Sequence, residues 1–263
     1  MTSPERRSLR IAAVADLHVG RTPASVLQPL LEAVRERADV LALCGDLTDS
    51  GDPEEAKTLA RDLATVKVPI VAVLGNHDYE AGRTDEIRQA LADAGVIVLD
   101  GGGYEIHGVG FAGVKGFCGG FGRGALGPWG EQAIKSFVRE ALDEALKLET
   151  ALARLRTPRR VVLLHYAPIV GTVQGEPLEI YPYLGSSRLE EPLSRYQVDA
   201  VFHGHAHHGQ LEGRTLGGAP VYNVSLSLLR RAWPDRVPFR ILELQRDGET
   251  GRGAEAPTPA VGG

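Results

Sequence analysis

Seven side chains of the sequence combine the atom types that bind metal ions: two carboxylates, four imidazoles and one amide. They are Asp16, His18, Asp46, Asn76, His165, His205 and His207. Seven ligands are too many for a single tetrahedral ion, but they suit two adjacent first-row metals that share a bridging carboxylate, for which Asp46 is the natural choice. Oxygen and nitrogen ligands without a thiolate favour manganese, iron or zinc over calcium.

The chemistry of such a metal pair follows from its charge. Two ions about 3.5–4 Å apart clamp a phosphoryl group, acidify a bridging water into a hydroxide nucleophile, and stabilise the attacking and leaving oxygens. The pattern therefore predicts a hydrolase of phosphate esters. Each short motif has a structural explanation when taken alone, since Gly75-Asn76-His77-Asp78 could be a turn and helix cap. That explanation fails for all the motifs together, in this order and after strands.

The candidate ligands must be positioned by strands, because each of them follows an apolar, β-rich run. These runs are residues 11–15, 40–44, 69–74, 160–164 and 199–202. Helices are predicted over 24–37 and after Asp52-Pro53, so the first three runs form successive βα units. Open α/β sheets bind their ligands at the carboxyl ends of the strands, which brings the candidate residues to one site.

The pattern changes after residue 99, where short alternating runs bounded by glycine suggest antiparallel strands and the start of a second sheet. The further predicted elements are helices over 83–94 and 131–156 and strands over 96–99, 104–107, 109–113, 220–224 and 239–244. The fold class is therefore α/β.

Residues 113–130 hold eight glycines. Such a loop is either a mobile lid that approaches a ligand or a surface excursion whose aromatic residues lie against the core. Together with residues 170–187 it is expected to choose the leaving group. Among the other histidines, His107 is expected in a strand, His203 beneath the site, and His208 either at the substrate or in solvent.

Length and composition set the remaining bounds. The 263 residues, 43% hydrophobic and 24% charged, suit one α/β domain over 1–245 with a disordered tail over 246–263. A net charge of −5 argues against sequence-independent nucleic-acid binding. Two cysteines do not form a disulfide framework, and no segment is long and apolar enough for a signal peptide or a membrane span. We therefore expect a cytoplasmic protein that does not act at a membrane.

The order Asp-x-His, Gly-Asp, Gly-Asn-His-Asp, His and Gly-His-x-His resembles the calcineurin-like metallophosphoesterase superfamily. The resemblance implies two packed mixed β-sheets flanked by helices, a four-layer sandwich. It implies that Asp16, His18 and His207 hold the first metal, that Asn76, His165 and His205 hold the second, and that Asp46 bridges them. His77 would be the uncoordinated histidine that contacts the substrate phosphate and protonates or stabilises the leaving oxygen. Asp49 would orient His77.

Residues 45–54 are most similar to the bacterial class III cyclic-nucleotide phosphodiesterase branch. Protein serine/threonine phosphatases carry an arginine where this chain has Ser50 and a glutamate where it has Asp78. A small phosphodiester, such as a cyclic nucleotide, is therefore the expected substrate. The alternatives are a phosphomonoesterase acting on a small phosphorylated metabolite, a nuclease, and a non-enzymatic scaffold. A scaffold predicts lost ligands or a missing His77, and all of these residues are present.

Overall fold

The computed structural model describes residues 8–245. Its strands form two sheets, and both contain parallel and antiparallel pairs. The strands are β1 (Ser8–Val14), β2 (Val40–Cys44), β3 (Ile70–Val73), β4 (Val96–Val98), β5 (Gly102–Ile106), β6 (Val109–Gly113), β7 (Arg159–Leu163), β8 (Ala200–His203), β9 (Glu212–Arg214), β10 (Pro220–Asn223) and β11 (Arg240–Gln245). The predicted architecture of two mixed sheets flanked by helices is confirmed.

The first sheet has the order β11-β1-β2-β3-β4, in which β1 to β4 are parallel and β11 is an antiparallel edge strand. The second has the order β5-β6-β7-β8-β10-β9, with a parallel centre and antiparallel strands β5 and β9 at its edges. The sheets join beside the site, where Ala15 pairs with Ser225 in a parallel bridge. Strands from both sheets therefore end at one common edge.

Seven α-helices accompany the sheets in the described residues. They are α1 (Ala24–Arg37), α2 (Pro53–Leu63), α3 (Thr84–Asp93), α4 (Gln132–Arg154), α5 (Tyr181–Leu184), α6 (Glu190–Arg195) and α7 (Leu226–Ala232). Helix α2 begins as its sequence predicts, because the Asp52 side chain accepts a hydrogen bond from the Glu54 amide and proline occupies the first turn. Helix α4 packs its apolar stripe against the outer face of the second sheet.

The alternation of side chains along a strand divides the core into two layers. In β7, Val161 and Leu163 face the first sheet, whereas Val162 and the following Leu164 face α4. The larger cluster fills the space between the sheets and beneath α1 to α3. Because the interior strands are buried on both faces, the strand ends are held in a fixed geometry.

Several local predictions were wrong or incomplete. His107 does not lie in a strand: it forms the β5–β6 turn with Gly108, and both have positive φ, 51° and 80°. Helices α5 to α7 and strand β9 were not predicted, because each has at most seven residues and too few periods for a pattern. Cys44 and Cys118 are buried free thiols.

The predicted disordered tail over 246–263 lies outside the described residues. Within residues 8–245, none of the helices combines the length and the apolar character that a membrane crossing requires.

Candidate metal centre

One group of candidate ligands lies at the ends of β1 and β8. Asp16, His18 and His207 each offer a ligand atom, and these atoms lie within 4.8 Å of one another. His207 Nε2 lies 3.2 Å from Asp16 Oδ1, and the main-chain amide of His205 donates to both oxygens of Asp16, each at 3.1 Å. The two sheets are thus joined at the predicted first metal position.

A second group lies at the ends of β2, β3, β7 and β8. Ligand atoms of Asp46, His165 and His205 also lie within 4.8 Å of one another. His165 Nε2 lies 2.9 Å from Asn76 Oδ1 and 3.3 Å from Asp46 Oδ1. The other carboxylate oxygen, Asp46 Oδ2, lies 3.8 Å from His18 Nε2. One carboxylate therefore faces both groups, and all seven predicted ligands come together.

Four of these ligands have a left-handed backbone. The φ angles are 58° at Asp16, 42° at His18, 49° at Asp46 and 69° at His205. This region costs roughly 1–3 kcal/mol for a residue with a Cβ, and such strain persists only where the surrounding structure enforces it. Among the described residues, His107 is the only other non-glycine with positive φ. The strain is concentrated where the side chains must turn towards one point.

Three glycines allow the strand-end loops to approach one another closely. A Cβ added at Gly45 would meet the His165 ring, and one added at Gly75 would meet the Asp46 side chain and amide. A Cβ at Gly204 would lie 2.6 Å from Asp16 Oδ2 and 3.1 Å from the Cys44 carbonyl oxygen. Each glycine of the motifs is therefore a packing requirement at the site.

Asp78 holds two of the loops together, a role that sequence reasoning did not assign. Its fully buried carboxylate accepts hydrogen bonds from the amides of Leu47 (3.2 Å), Thr48 (2.8 Å) and Gly75 (2.8 Å) and from the Thr48 hydroxyl (2.7 Å). Burial raises the pKa of Asp78, and these donors oppose that change. The sequence does contain one signal for this role, because Asp78 is the third polar residue in succession in Asn76-His77-Asp78.

His77 lies at the mouth of the site, beside the first group. Its ring centroid is 4.6 Å from that of His18 in an edge-on arrangement, and its amide donates to Asp46 Oδ1 at 2.9 Å. Asp49 was expected to orient this imidazole. Asp49 does lie beside His77, but its main chain makes the contact. His77 Nδ1 lies 2.6 Å from the Asp49 carbonyl oxygen.

A buried network of polar side chains lies beneath the loop after β8, which carries His205 and His207. His203 is fully buried, with Nε2 2.8 Å from the Thr172 hydroxyl and Nδ1 2.8 Å from the Gly204 carbonyl. The side chain of Asn223 donates to the Ala206 carbonyl at 2.7 Å. His203 therefore lies beneath the site as expected, whereas His208 is exposed.

The electrostatics of the site favour the neutral form of three imidazoles, those of His18, His203 and His205. Burial lowers the pKa of His18, that of His203 to about 4 and, together with the nearby His165, that of His205 to about 3. The hydrogen bond to Asp16 instead raises the pKa of His207. Neutral imidazoles present a lone pair, which is the form that binds metal.

Asp16 and Asp46 respond differently to the same burial. Burial alone would raise the pKa of Asp16, but the hydrogen bond from His207 and the imidazoles of His165 and His205 outweigh it, and the pKa is lowered. Burial raises the pKa of Asp46, which Asp16 reinforces and His165 opposes. Two carboxylates buried beside each other without a compensating cation are costly, and bound cations would remove that cost.

The donor set fits divalent metal ions. Both ring nitrogens of His18 are buried and have no hydrogen-bond partner within residues 8–245. Buried polar atoms without partners are rare in folded proteins. The facing atoms are carboxylate, amide and imidazole donors, which suit manganese, iron or zinc.

Two loops, which we call the capping loops (residues 113–130 and 170–187), pair with each other beside the second group. Gly120 exchanges main-chain hydrogen bonds with Gly185 and Ser187, and the Gly122 amide donates to the Ser187 hydroxyl at 2.7 Å. The Tyr183 carbonyl oxygen lies 3.1 Å from His205 Nε2. The glycine-rich loop is thus tied to the rest of the structure, with Phe117 packed on the core and Trp129 exposed.

Comparison with known proteins agrees with this geometry. The family model for calcineurin-like phosphoesterases matches residues 9–209. A probable cyclic nucleotide phosphodiesterase from Synechococcus sp. is 26% identical over 262 residues, which covers 92% of this chain and 89% of that protein. A shorter match of 65 residues, 31% identical, covers 25% of this chain and 23% of the glycerophosphodiester phosphodiesterase GpdQ of Enterobacter lignolyticus.

The fold also resembles a solved structure, the phosphopantetheinyl hydrolase of Mycobacterium tuberculosis. The TM-score is 0.61 at 17% identity, and the similarity covers 94% of this chain and 99% of that one. The family match spans most of the chain and includes every strand-end motif described above. The chain therefore belongs to the calcineurin-like phosphoesterase family and is a metal-dependent hydrolase that acts on phosphoric ester bonds.

Proposed function

We propose that the protein hydrolyses a small phosphodiester, such as a cyclic nucleotide, with two metal ions. The position of Asp46 carries this proposal. Its Oδ2 faces His18 of the first group and its Oδ1 faces His165 of the second, at 3.8 and 3.3 Å. Asp16, His18 and His207 would hold one ion, Asn76, His165 and His205 the other, and Asp46 would bridge them.

When bound, two such ions would supply Lewis-acid polarisation of the phosphoryl group and a water acidified for attack. His77 adds proton transfer at the leaving oxygen. Its Nδ1 lies on a carbonyl oxygen, which can only accept, so Nδ1 carries a proton and Nε2 remains to exchange one. The Asp49 carbonyl therefore fixes which nitrogen serves the leaving group.

Two relatives support a diester rather than a monoester, because both are described as phosphodiesterases. Two positively charged side chains near the site also favour a diester, because each of them already interacts with another side chain. The guanidinium of Arg21 is paired with Asp49 at 3.1 Å, and the ammonium of Lys115 is buried over the rings of Phe117 and Tyr166. A dianionic monoester would need more positive charge than the singly charged diester.

The direct test compares two chromogenic esters on metal-stripped protein reloaded with manganese. We expect metal-dependent cleavage of bis-p-nitrophenyl phosphate with little cleavage of p-nitrophenyl phosphate. The reverse preference would indicate a phosphomonoesterase. Two bound ions without activity on either ester would favour a narrow substrate or a scaffold, and cyclic nucleotides would then be tested individually.

Substitutions separate the metal ligands from the proton donor. We expect Asp46→Ala and Asn76→Ala to lower metal occupancy and abolish hydrolysis. In contrast, His77→Ala should keep both ions and lose about 10²–10⁴-fold in kcat, the usual contribution of general acid–base catalysis. Occupancy is measured by elemental analysis after gel filtration. An Asn76→Ala protein with full activity and two ions would contradict the ligand assignment.

A further inference from the structure

Asp49 contacts two imidazoles through different parts of the residue. Its main-chain carbonyl oxygen lies 2.6 Å from His77 Nδ1, whereas its carboxylate Oδ1 lies 3.3 Å from His18 Nδ1. The main-chain contact does not depend on the identity of residue 49. The side chain of Asp49 can therefore contact His18. It does so at Nδ1, whereas Asp46 faces the other ring nitrogen, Nε2.

In the part of the chain that the structure describes, the atoms of this second contact form no other hydrogen bond, although Asp49 Oδ1 also has an ion pair with Arg21. Asp49 Oδ1 and both ring nitrogens of His18 are buried, and within residues 8–245 none has a hydrogen bond of good geometry. A proton on His18 Nδ1 would lie beside the Asp49 carboxylate, whose Oδ1 is 3.3 Å from that nitrogen. The lone pair would then lie on Nε2, which faces Asp46 Oδ2 at 3.8 Å. Histidines that bind metal commonly donate their other N–H to a carboxylate in this way.

Arg21 completes the arrangement. Its guanidinium lies 3.1 Å from Asp49 Oδ1, and its amide donates to the His18 carbonyl oxygen at 3.0 Å, so it is fixed in the turn that follows His18. The ion pair therefore ties the Asp49 carboxylate to the turn that carries His18. Arg21 is 67% exposed, which limits the strength of this pair.

We propose that the carboxylate of Asp49 is a positioning residue for the metal ligand His18, held in place by Arg21, and that it does not orient His77. The carboxylate fixes the tautomer and the ring orientation of His18, so that Nε2 faces the position shared with Asp16 and His207. This inference rests on the proposed metal function of that group.

The test uses Asp49→Ala, which removes the carboxylate and keeps the main-chain carbonyl. We expect manganese to bind the first position about 10–100-fold more weakly by isothermal titration calorimetry, the usual effect of losing such a partner. At saturating manganese, kcat on the diester should return to within a few-fold of the unchanged protein. Arg21→Gln should show the same pattern with a smaller loss.

His77→Ala provides the contrasting result, because its rate should stay low at any metal concentration. Glu80→Gln is the matched charge control. The Glu80 carboxylate lies 3.5 Å from His77 Nδ1 rather than beside a candidate ligand, so manganese affinity should change by less than about twofold. If Asp49→Ala kept its metal affinity and lost kcat at saturating manganese, Asp49 would act through His77 and the proposal would be wrong.

A second readout does not require bound metal or activity. In metal-free protein labelled with ¹⁵N-histidine, we expect His18 to be the Nδ1–H tautomer, and to lose that preference in Asp49→Ala while the spectrum of His77 is retained. Equal populations of the two His18 tautomers in the unchanged protein would overturn the proposal. If the tautomer is as expected but no metal binds, the proposed function fails and the Asp49–His18 contact stands.

Discussion

The strand-end loops and the capping loops both depend on glycine, but for different reasons. At Gly45, Gly75 and Gly204 the space for a Cβ is already filled by ligand residues or by the backbone beside them. At the tip of the glycine-rich capping loop, Gly122, Gly124 and Gly130 have no atom within 4 Å of that position. The conformation of the strand-end loops is therefore fixed by close contacts, whereas the tip of the glycine-rich capping loop has open space around it.

We infer from this difference that the strand-end loops serve the reaction, whereas the capping loops serve the choice of substrate. The strand-end loops carry the proposed metal ligands, whose strained backbone is held in place by strands and hydrogen bonds, as preorganised chemistry requires. The capping loops are joined largely by main-chain hydrogen bonds, and they expose apolar side chains such as Leu178 and Tyr183. Main-chain bonds tolerate changes of side chain, so a family can keep the chemistry and alter its substrate.

The substitution Gly204→Ala tests this difference between the two regions most directly. The added methyl group would collide with Ala15 and Asp16, so the loop that carries His205 and His207 would have to move. We expect kcat/KM to fall by about 100-fold, the cost of misplacing a reacting group by roughly an ångström. Gly124→Ala is the matched control and should stay within about twofold. Steady-state kinetics on the diester measure both, and equal rates in the two variants would contradict the comparison.

Asp78→Asn should have the next largest effect. The amide group would face the N–H groups of Leu47 and Gly75, which now donate to Asp78 Oδ2, so two buried donors would lose their acceptor. We expect the free energy of unfolding to fall by about 2–4 kcal/mol, measured by urea denaturation of metal-free protein. Asp93→Asn, at an exposed carboxylate that accepts one bond from Gln89, should cost less than about 0.5 kcal/mol. Similar losses in both variants would show that Asp78 does not hold the loops together.

The smallest effect is expected in the capping loops. Tyr183 is 61% exposed, and it reaches His205 through its main-chain oxygen. Tyr183→Ala should therefore leave unfolding free energy and manganese affinity unchanged. It should alter the ratio of KM values between an aromatic and an aliphatic phosphodiester by about 5-fold, since one apolar contact at an exposed position is worth about 1 kcal/mol, the lower end of the usual range. A large loss of metal affinity would mean that this capping loop belongs to the rigid region.

The same contrast explains what could be predicted from the sequence. Strands β1, β2, β3, β7 and β8 are apolar runs that end in polar residues, so their common edge follows from the rules of α/β folds. The role of Asp78 depends on amides that are far away in sequence, and the left-handed conformation of Asp16 or His205 has no local signal. Nor does residue type alone say which part of Asp49 contacts which imidazole.

The hydrogen bonds between His205 and Asp16 also bear on how the protein folds. They join positions 189 residues apart, so the first metal position exists only after β1 and β8 have come together. Contacts between such distant segments form slowly, because a long chain segment must be ordered before they stabilise it. If the proposed ligands are correct, a nascent chain that has not yet reached β8 lacks His207 and should not retain an ion at this position.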